Sequence, residues 1–94
     1  MRSSQIEIEE ELDVDIESLL KENHEIVLFN DDYHTFDFVI ESLVDVCEHT
    51  LVQAEQCTYI VHYNGKCSVK RGEFEKLKPI CTALLDRGLS AEIL

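Results

Sequence analysis

The chain has 94 residues, 45% of them hydrophobic, with 20 acidic against 8 basic side chains and a net charge of −12. That length supports one small domain with a single modest core. The charge excludes nucleic acid and anionic membrane surfaces as partners, since both attract clustered Lys and Arg.

Residues 1–23 carry eight acids (Glu7, Glu9, Glu10, Glu11, Asp13, Asp15, Glu17, Glu22) against Arg2 and Lys21. Ile6, Ile8, Leu12, Val14 and Ile16 are sparse and separated by acids. Self-repelling charge of this density opposes compaction, so the segment is expected to be an acidic, flexible N-terminal extension. No signal-peptide core stands near Met1 and no apolar run spans a bilayer, so a cytoplasmic protein is expected.

Residues 24–94 read as the folded domain. Glu25 to Asn30 holds the short apolar run Ile26-Val27-Leu28-Phe29 and predicts the first strand. A turn follows to His34, and Thr35 is placed to cap a helix with Asp37 in its first turn. Phe36, Val39, Ile40, Leu43, Val46 and Cys47 share one face of that helix, which is expected to end near His49. Thr50 and Gln53 form a capping box for a second helix, in which Leu51, Ala54, Cys57, Thr58 and Val61 recur at helical spacing. Asn64-Gly65 stops it.

Lys66 to Arg71 alternates, with Cys67 and Val69 facing one way and Ser68 and Lys70 the other, as a half-buried strand does. Gly72 turns the chain into a third helix with Phe74, Leu77, Ile80, Cys81, Leu84 and Leu85 on its apolar face. Pro79 predicts a kink or a restart within it. Arg87-Gly88 closes the helix, and Leu89 to Leu94 reads as a last strand. The four cysteines, Cys47, Cys57, Cys67 and Cys81, lack a Cys-x-x-Cys pair. They are expected to be buried free thiols in a reducing compartment, not zinc ligands.

Chemistry concentrates in two blocks, Asn30-Asp31-Asp32 at the end of the first strand and His62 on the second helix. Taken alone, the first block is ordinary turn chemistry. Two adjacent carboxylates beside an apolar run still need a partner. Thr58, Val61 and His62 stand at i, i+3 and i+4 and so share a helix face that can wall a pocket. Carboxylates, a carboxamide and an imidazole at the mouth of an apolar pocket suit a small cation with an apolar tail. The free N-terminus of a peptide is such a ligand. An α-ammonium offers three donors, one each for Asn30, Asp31 and His62; a blocked amine offers too few, and sites of this kind discriminate by roughly 10,000-fold.

Two competing readings remain open at this stage. One is a metal-dependent hydrolase using Asp31, Asp32 and His62, with His34 as a further ligand; the other is an acidic interaction domain without a pocket. Tyr33, Tyr59 and Tyr63 are expected to pack with wet hydroxyls. There is no Gly-rich phosphate loop, Ser-His-Asp order or basic aromatic patch, and no cofactor is implied.

Asn30-Asp31-Asp32-Tyr33, then Phe38-Val39-Ile40, then Val61-His62-Tyr63-Asn64-Gly65-Lys66 resembles the ClpS adaptor family. The similarity is close over residues 25–71 and looser to the end. The elements read along the chain give the order β-α-α-β-α-β, and the expected fold is an α+β domain with three antiparallel strands packed against three helices, behind a mobile N-terminal tail. The resemblance implies an adaptor, not an enzyme. Such a protein recognises N-degrons, whose first residue is a bulky Leu, Phe, Tyr or Trp, and delivers them to a ClpA- or ClpC-type AAA+ unfoldase of the Clp protease. The tail would engage the unfoldase.

Carried over residue by residue, the resemblance gives Asn30, Asp31 and His62 as amine ligands, Asp32 as the second acid, and Val39, Val61 and Leu89 as the apolar wall. Three positions depart from the family pattern. His34 stands where threonine is common, Phe36 where a methionine gate is common, and Thr58 where another methionine is common. The Phe36 ring is expected to face the ligand's first side chain, and the Thr58 hydroxyl to meet a polar group of the ligand.

Overall fold

The computed structural model describes residues 24–94, so the extension expected over residues 1–23 lies outside the described part. Three strands and three helices follow in the order β1 (His24–Phe29), α1 (Phe36–Cys47), α2 (Leu51–Asn64), β2 (Lys66–Gly72), α3 (Phe74–Asp86) and β3 (Ser90–Ile93). The sheet order is β2-β1-β3, and both pairings are antiparallel. The most apolar strand is therefore the central one. Ile26, Val27 and Leu28 are all buried, and the β1 backbone is hydrogen-bonded on both edges. Helix α3 carries the chain across β1 from β2 to β3, while α2 packs on β2 and α1 packs on α2 and α3.

Local sequence fixes the helix ends. The Thr35 hydroxyl accepts from the Phe38 amide at 3.1 Å. Thr50 and Gln53 exchange reciprocal bonds of 2.9 and 3.1 Å. Gly65 closes α2 in the left-handed region at φ 93°. Helix α1 stops at Cys47, two residues earlier than expected, because Glu48 takes up a left-handed conformation at φ 60°. At the end of α3, Gly88 donates to the Leu85 carbonyl and Leu89 to the Leu84 carbonyl, the paired pattern of a Schellman motif. Leu89 and Leu84 are both buried there, which supplies the apolar contact that accompanies it.

One expectation is corrected and another narrowed. Lys70 does not point away from the core side. Ile26 pairs with Lys70 but Val27 pairs with Ser68, so Val69 is an extra residue in β2 and shifts the alternation by one. Val69 is buried, and its carbonyl accepts from His49 Nε2 at 2.6 Å. Lys70 reaches the helical layer and donates to the Cys47 carbonyl at 3.1 Å, a cation at the C-terminus of α1. Pro79, in turn, does not restart the helix; α3 runs through it as one element. Proline removes only the bond to the Glu75 carbonyl, and both residues are exposed, so water reaches the freed oxygen.

One core cluster joins the layers: Ile26 and Leu28 from β1, Leu43 and Cys47 from α1, Ala54 and Val61 from α2, Val69 from β2, Leu77, Cys81 and Leu84 from α3, and Leu89. Ser42 is fully buried and accepts from Arg87, which also pairs with Asp45 at 3.5 Å. All four cysteines are free, with Cys47 and Cys81 buried and Cys57 and Cys67 only half-buried. Burial pushes the Cys47 thiol up to about 11; burial together with the neighbouring Cys57 pushes Cys67 up to about 12. Among the described residues no helix is long and apolar enough to cross a membrane.

Candidate functional site

The end of β1, the loop over residues 30–35, the start of α1, one face of α2 and Leu89 surround a cavity of about 260 Å³. That is close to the lower end of the roughly 300–1,000 Å³ typical of small-molecule sites. Its floor and walls are apolar: Leu28, Phe29, Phe36, Val39, Val61 and Leu89. Its mouth is polar, with Asn30, Asp31, Asp32, His34 and His62. All ten residues singled out in the sequence line this one cavity. Leu28, Phe29 and Thr35 line it as well and were assigned only to strand and cap.

The two blocks meet because the Asn30 amide donates to the Gly65 carbonyl at 2.9 Å, tying the end of β1 to the turn that ends α2. The left-handed glycine thus sets where Asn30 stands relative to His62, three residues before it. Asn30, Asp32 and His62 are exposed, while Asp31 is half-buried with its side chain 18% accessible.

Asp31 is the most tightly held group of the mouth. Its Oδ1 accepts from the Tyr33 and His34 amides, both at 2.9 Å, and His34 Nδ1 lies 3.0 Å from each carboxylate oxygen. Burial pushes the carboxyl pKa up, but the His34 and Tyr33 amides and the His34 ring outweigh it, so the net displacement is below the ordinary 3.8. A carboxylate is therefore present at neutral pH, and Oδ2 has only the imidazole as partner. The His34 ring is itself clamped. It stacks on Phe38 at 4.9 Å, and a Cβ on Gly88 would stand 3.2 Å from its Nε2. Gly88 (φ 87°) thus serves both the α3 terminus and the seat of His34.

Thr58 differs from the sequence expectation. Its hydroxyl donates to the Ala54 carbonyl one turn back, at 2.7 Å, and the residue is buried. Its proton is committed to its own helix and unavailable to a ligand, so Thr58 contributes a small, mostly apolar surface to the cavity. The tyrosines also differ. Tyr33 is 92% exposed, and Tyr59 and Tyr63 are exposed on α2 rather than packed in the core. Phe36 meets His62 edge to face at 5.0 Å and Tyr59 at 5.2 Å, which fixes its ring as a wall of the mouth. Among the described residues no three His, Cys, Asp or Glu side chains converge as metal ligands. The arrangement is an anionic acceptor cluster over an apolar hole, suited to a cationic head and a greasy tail.

The family model described as ATP-dependent Clp protease adaptor protein ClpS matches residues 20–92 of the chain. Curated relatives carry the name ATP-dependent Clp protease adapter protein ClpS. The protein from Campylobacter jejuni is 40% identical over 42 residues, 45% of this chain and 44% of the relative. That from Clostridium acetobutylicum is 43% identical over 42 residues, 45% of this chain and 42% of the relative. That from Treponema denticola is 35% identical over 48 residues, 51% of this chain and 48% of the relative. The aligned stretch spans less than half of each relative's length. Among solved structures, Agrobacterium tumefaciens ClpS2 bound to L-phenylalaninamide superposes with a TM-score of 0.74 at 20% identity, over 79% of this chain and 96% of that one. This likeness is one of fold.

Proposed function

We propose, starting from the fact that this chain belongs to the ClpS family of ATP-dependent Clp protease adaptors, that its cavity binds the free N-terminal residue of substrate proteins. The α-ammonium lies among Asn30, Asp31 and His62 at the mouth, and a bulky apolar first side chain fills the hole bounded by Val39, Thr58, Val61 and Leu89. Asp32 adds negative potential at the rim. The chain is an adaptor and carries out no bond chemistry of its own. It hands the captured protein to a ClpA- or ClpC-type AAA+ unfoldase, through an extension formed by residues 1–23 ahead of the binding domain at 24–94.

The observation that carries this reading is the ionised, hydrogen-bonded Asp31 poised over an apolar cavity beside Asn30 and His62. The solved relative supports it by the chemistry of its ligand, since L-phenylalaninamide joins a free amine to an apolar ring. The hydrolase alternative loses ground because Asp31 is paired with His34 and no metal ligand set converges among the described residues. The pocketless interaction domain loses ground to the cavity itself.

The delivery half has its own test. A chain starting at His24 is expected to bind a Leu-initiated peptide as the full chain does. It is also expected to fail to speed degradation of a Leu-initiated reporter by an ATP-dependent Clp protease. Full delivery by the truncated chain overturns the role given to residues 1–23.

The departures from the family pattern set selectivity. Phe36 packs edge-on against Tyr59 and His62, and a planar ring adapts its shape less than a flexible thioether does. A rigid ring penalises branching next to the backbone. Leu, Phe and Tyr are therefore expected to bind, with Ile and Val weaker by about tenfold or more, the worth of one or two misplaced methyl groups. Phe36→Ala is expected to recover most of the Ile and Val binding in anisotropy titrations. Equal affinity of the wild type for Leu and Ile removes Phe36 from the role of gate.

A further inference from the structure

Four rings stand together at one side of the cavity mouth. Tyr59 and Tyr63, four residues apart on α2, lie nearly parallel with centroids 6.2 Å apart and an interplanar angle of 3°. Phe36 meets Tyr59 edge-on at 5.2 Å, and His62 meets Phe36 at 5.0 Å and Tyr63 at 4.8 Å. Phe36 and His62 also line the cavity, whereas Tyr59 and Tyr63 do not. The cluster is thus continuous with the cavity rim and extends two rings beyond it. Tyr59 is 53% and Tyr63 74% exposed, and neither hydroxyl has a hydrogen-bond partner among the described residues. A tyrosine placed for packing buries its ring and wets its hydroxyl. These two keep ring surface in water, held in place by each other and by Phe36.

The geometry of a bound N-terminus brings this surface into use. With the amine at Asp31 and the first side chain in the cavity, the following backbone has to leave across the rim. On the side of Asp31 the rim carries the His34 ring, stacked on Phe38 and close to Gly88. An exit past the exposed His62, the path taken here, leads the chain toward the aromatic cluster. In an extended chain, residues one and three face the same surface about 7 Å apart, while residue two points away. The third residue then comes over the ring just outside the cavity wall.

We propose that Tyr59 and Tyr63 form a second subsite that takes an aromatic side chain at the third position of the bound N-terminus. The proposal rests on the amine-and-first-side-chain reading of the cavity. It makes the adaptor a reader of two residues, with the first required and the third tuning affinity. Ring-on-ring contact is worth about 0.5–1.5 kcal/mol, which is roughly a 2- to 13-fold gain.

The test is fluorescence anisotropy on the full chain with C-terminally labelled peptides beginning Leu-Ala-Ala, Leu-Ala-Phe and Leu-Phe-Ala, each with a free amine. Leu-Ala-Phe is expected to bind about 3- to 10-fold tighter than Leu-Ala-Ala, and Leu-Phe-Ala to bind like Leu-Ala-Ala. Tyr59→Ala and Tyr63→Ala are each expected to bring the gain below about twofold, and Tyr63→Ala to leave Leu-Ala-Ala binding in place. Both side chains are exposed, and Tyr63→Ala provides the cleaner variant should loss of Tyr59 release Phe36. No gain at position three, a gain at position two instead, or a gain that survives both substitutions overturns the subsite. If Leu-Ala-Ala itself binds no better than its N-acetylated form, the amine reading has failed and the subsite falls with it. If Leu-Ala-Ala binds through its amine but position three is silent, the subsite alone is wrong.

Discussion

N-acetylation of a Leu-initiated peptide is expected to weaken its binding by about 1,000-fold. In the proposed clamp the free ammonium would bring one positive charge and three donors to three groups: Asp31 Oδ2, the Asn30 amide oxygen and the His62 ring. Acetylation removes the charge and two donors and puts a methyl carbonyl where the carboxylate points. Asp31 then remains ionised with only His34 against it, and separating one partner of such a pair costs about 2–5 kcal/mol. The expectation from sequence alone was roughly 10,000-fold, the figure for a sealed polar site. It falls because Asn30 and His62 stand in solvent, where water replaces part of what the amine supplied. Paired titrations of the two peptides measure the ratio, and a ratio near one removes the ammonium from the account.

Asp31→Asn is expected to cost about 100-fold in affinity for the free peptide, the scale of a charge-assisted hydrogen bond lost from a half-buried site. The substitution is chosen to spare the fold. Its amide oxygen still accepts from the Tyr33 and His34 amides, so the turn that carries Asn30 survives. What goes is the negative charge, and an NH2 group now faces either the ammonium or His34. A thermal melt close to wild type together with weak binding places the effect in the site. Normal affinity in this variant means that Asp31 only shapes the turn.

Much of the fold was legible because its signals are local. Thr35, the Thr50–Gln53 pair, Gly65 and Arg87-Gly88 each act on backbone groups within a few residues, and each stands where the sequence places a helix end. The apolar run of β1 marked a strand for the same reason, though its central place in the sheet is defined only by its two partners. Hidden features depend on distant partners. The extra residue at Val69 is defined only against β1, so the side taken by Lys70 cannot be read from β2 alone. Ser42 is buried in α1 because Arg87, far along the chain, satisfies it. In the site, Asn30, Asp31 and His62 stood out as residue types and through the family resemblance, yet Asn30-Asp31-Asp32 taken alone reads better as turn chemistry. The union of Asp31 with His34 is set by Phe38 and Gly88, and the hydroxyl of Thr58 is spent within its own helix. The tyrosines of α2 carried no sequence signal, since helical spacing does not say which face meets water.

The central claim is that the Asp31 carboxylate meets the α-ammonium, and a double-mutant cycle tests it most directly. Wild type and Asp31→Asn are each titrated with the free and the N-acetylated Leu peptide. If the two groups meet, the losses overlap: Asp31→Asn weakens the free peptide by about 100-fold and leaves the acetylated peptide within about twofold of its wild-type affinity. If Asp31→Asn weakens both peptides by the same factor, the carboxylate and the amine act independently, and the clamp as described here is contradicted.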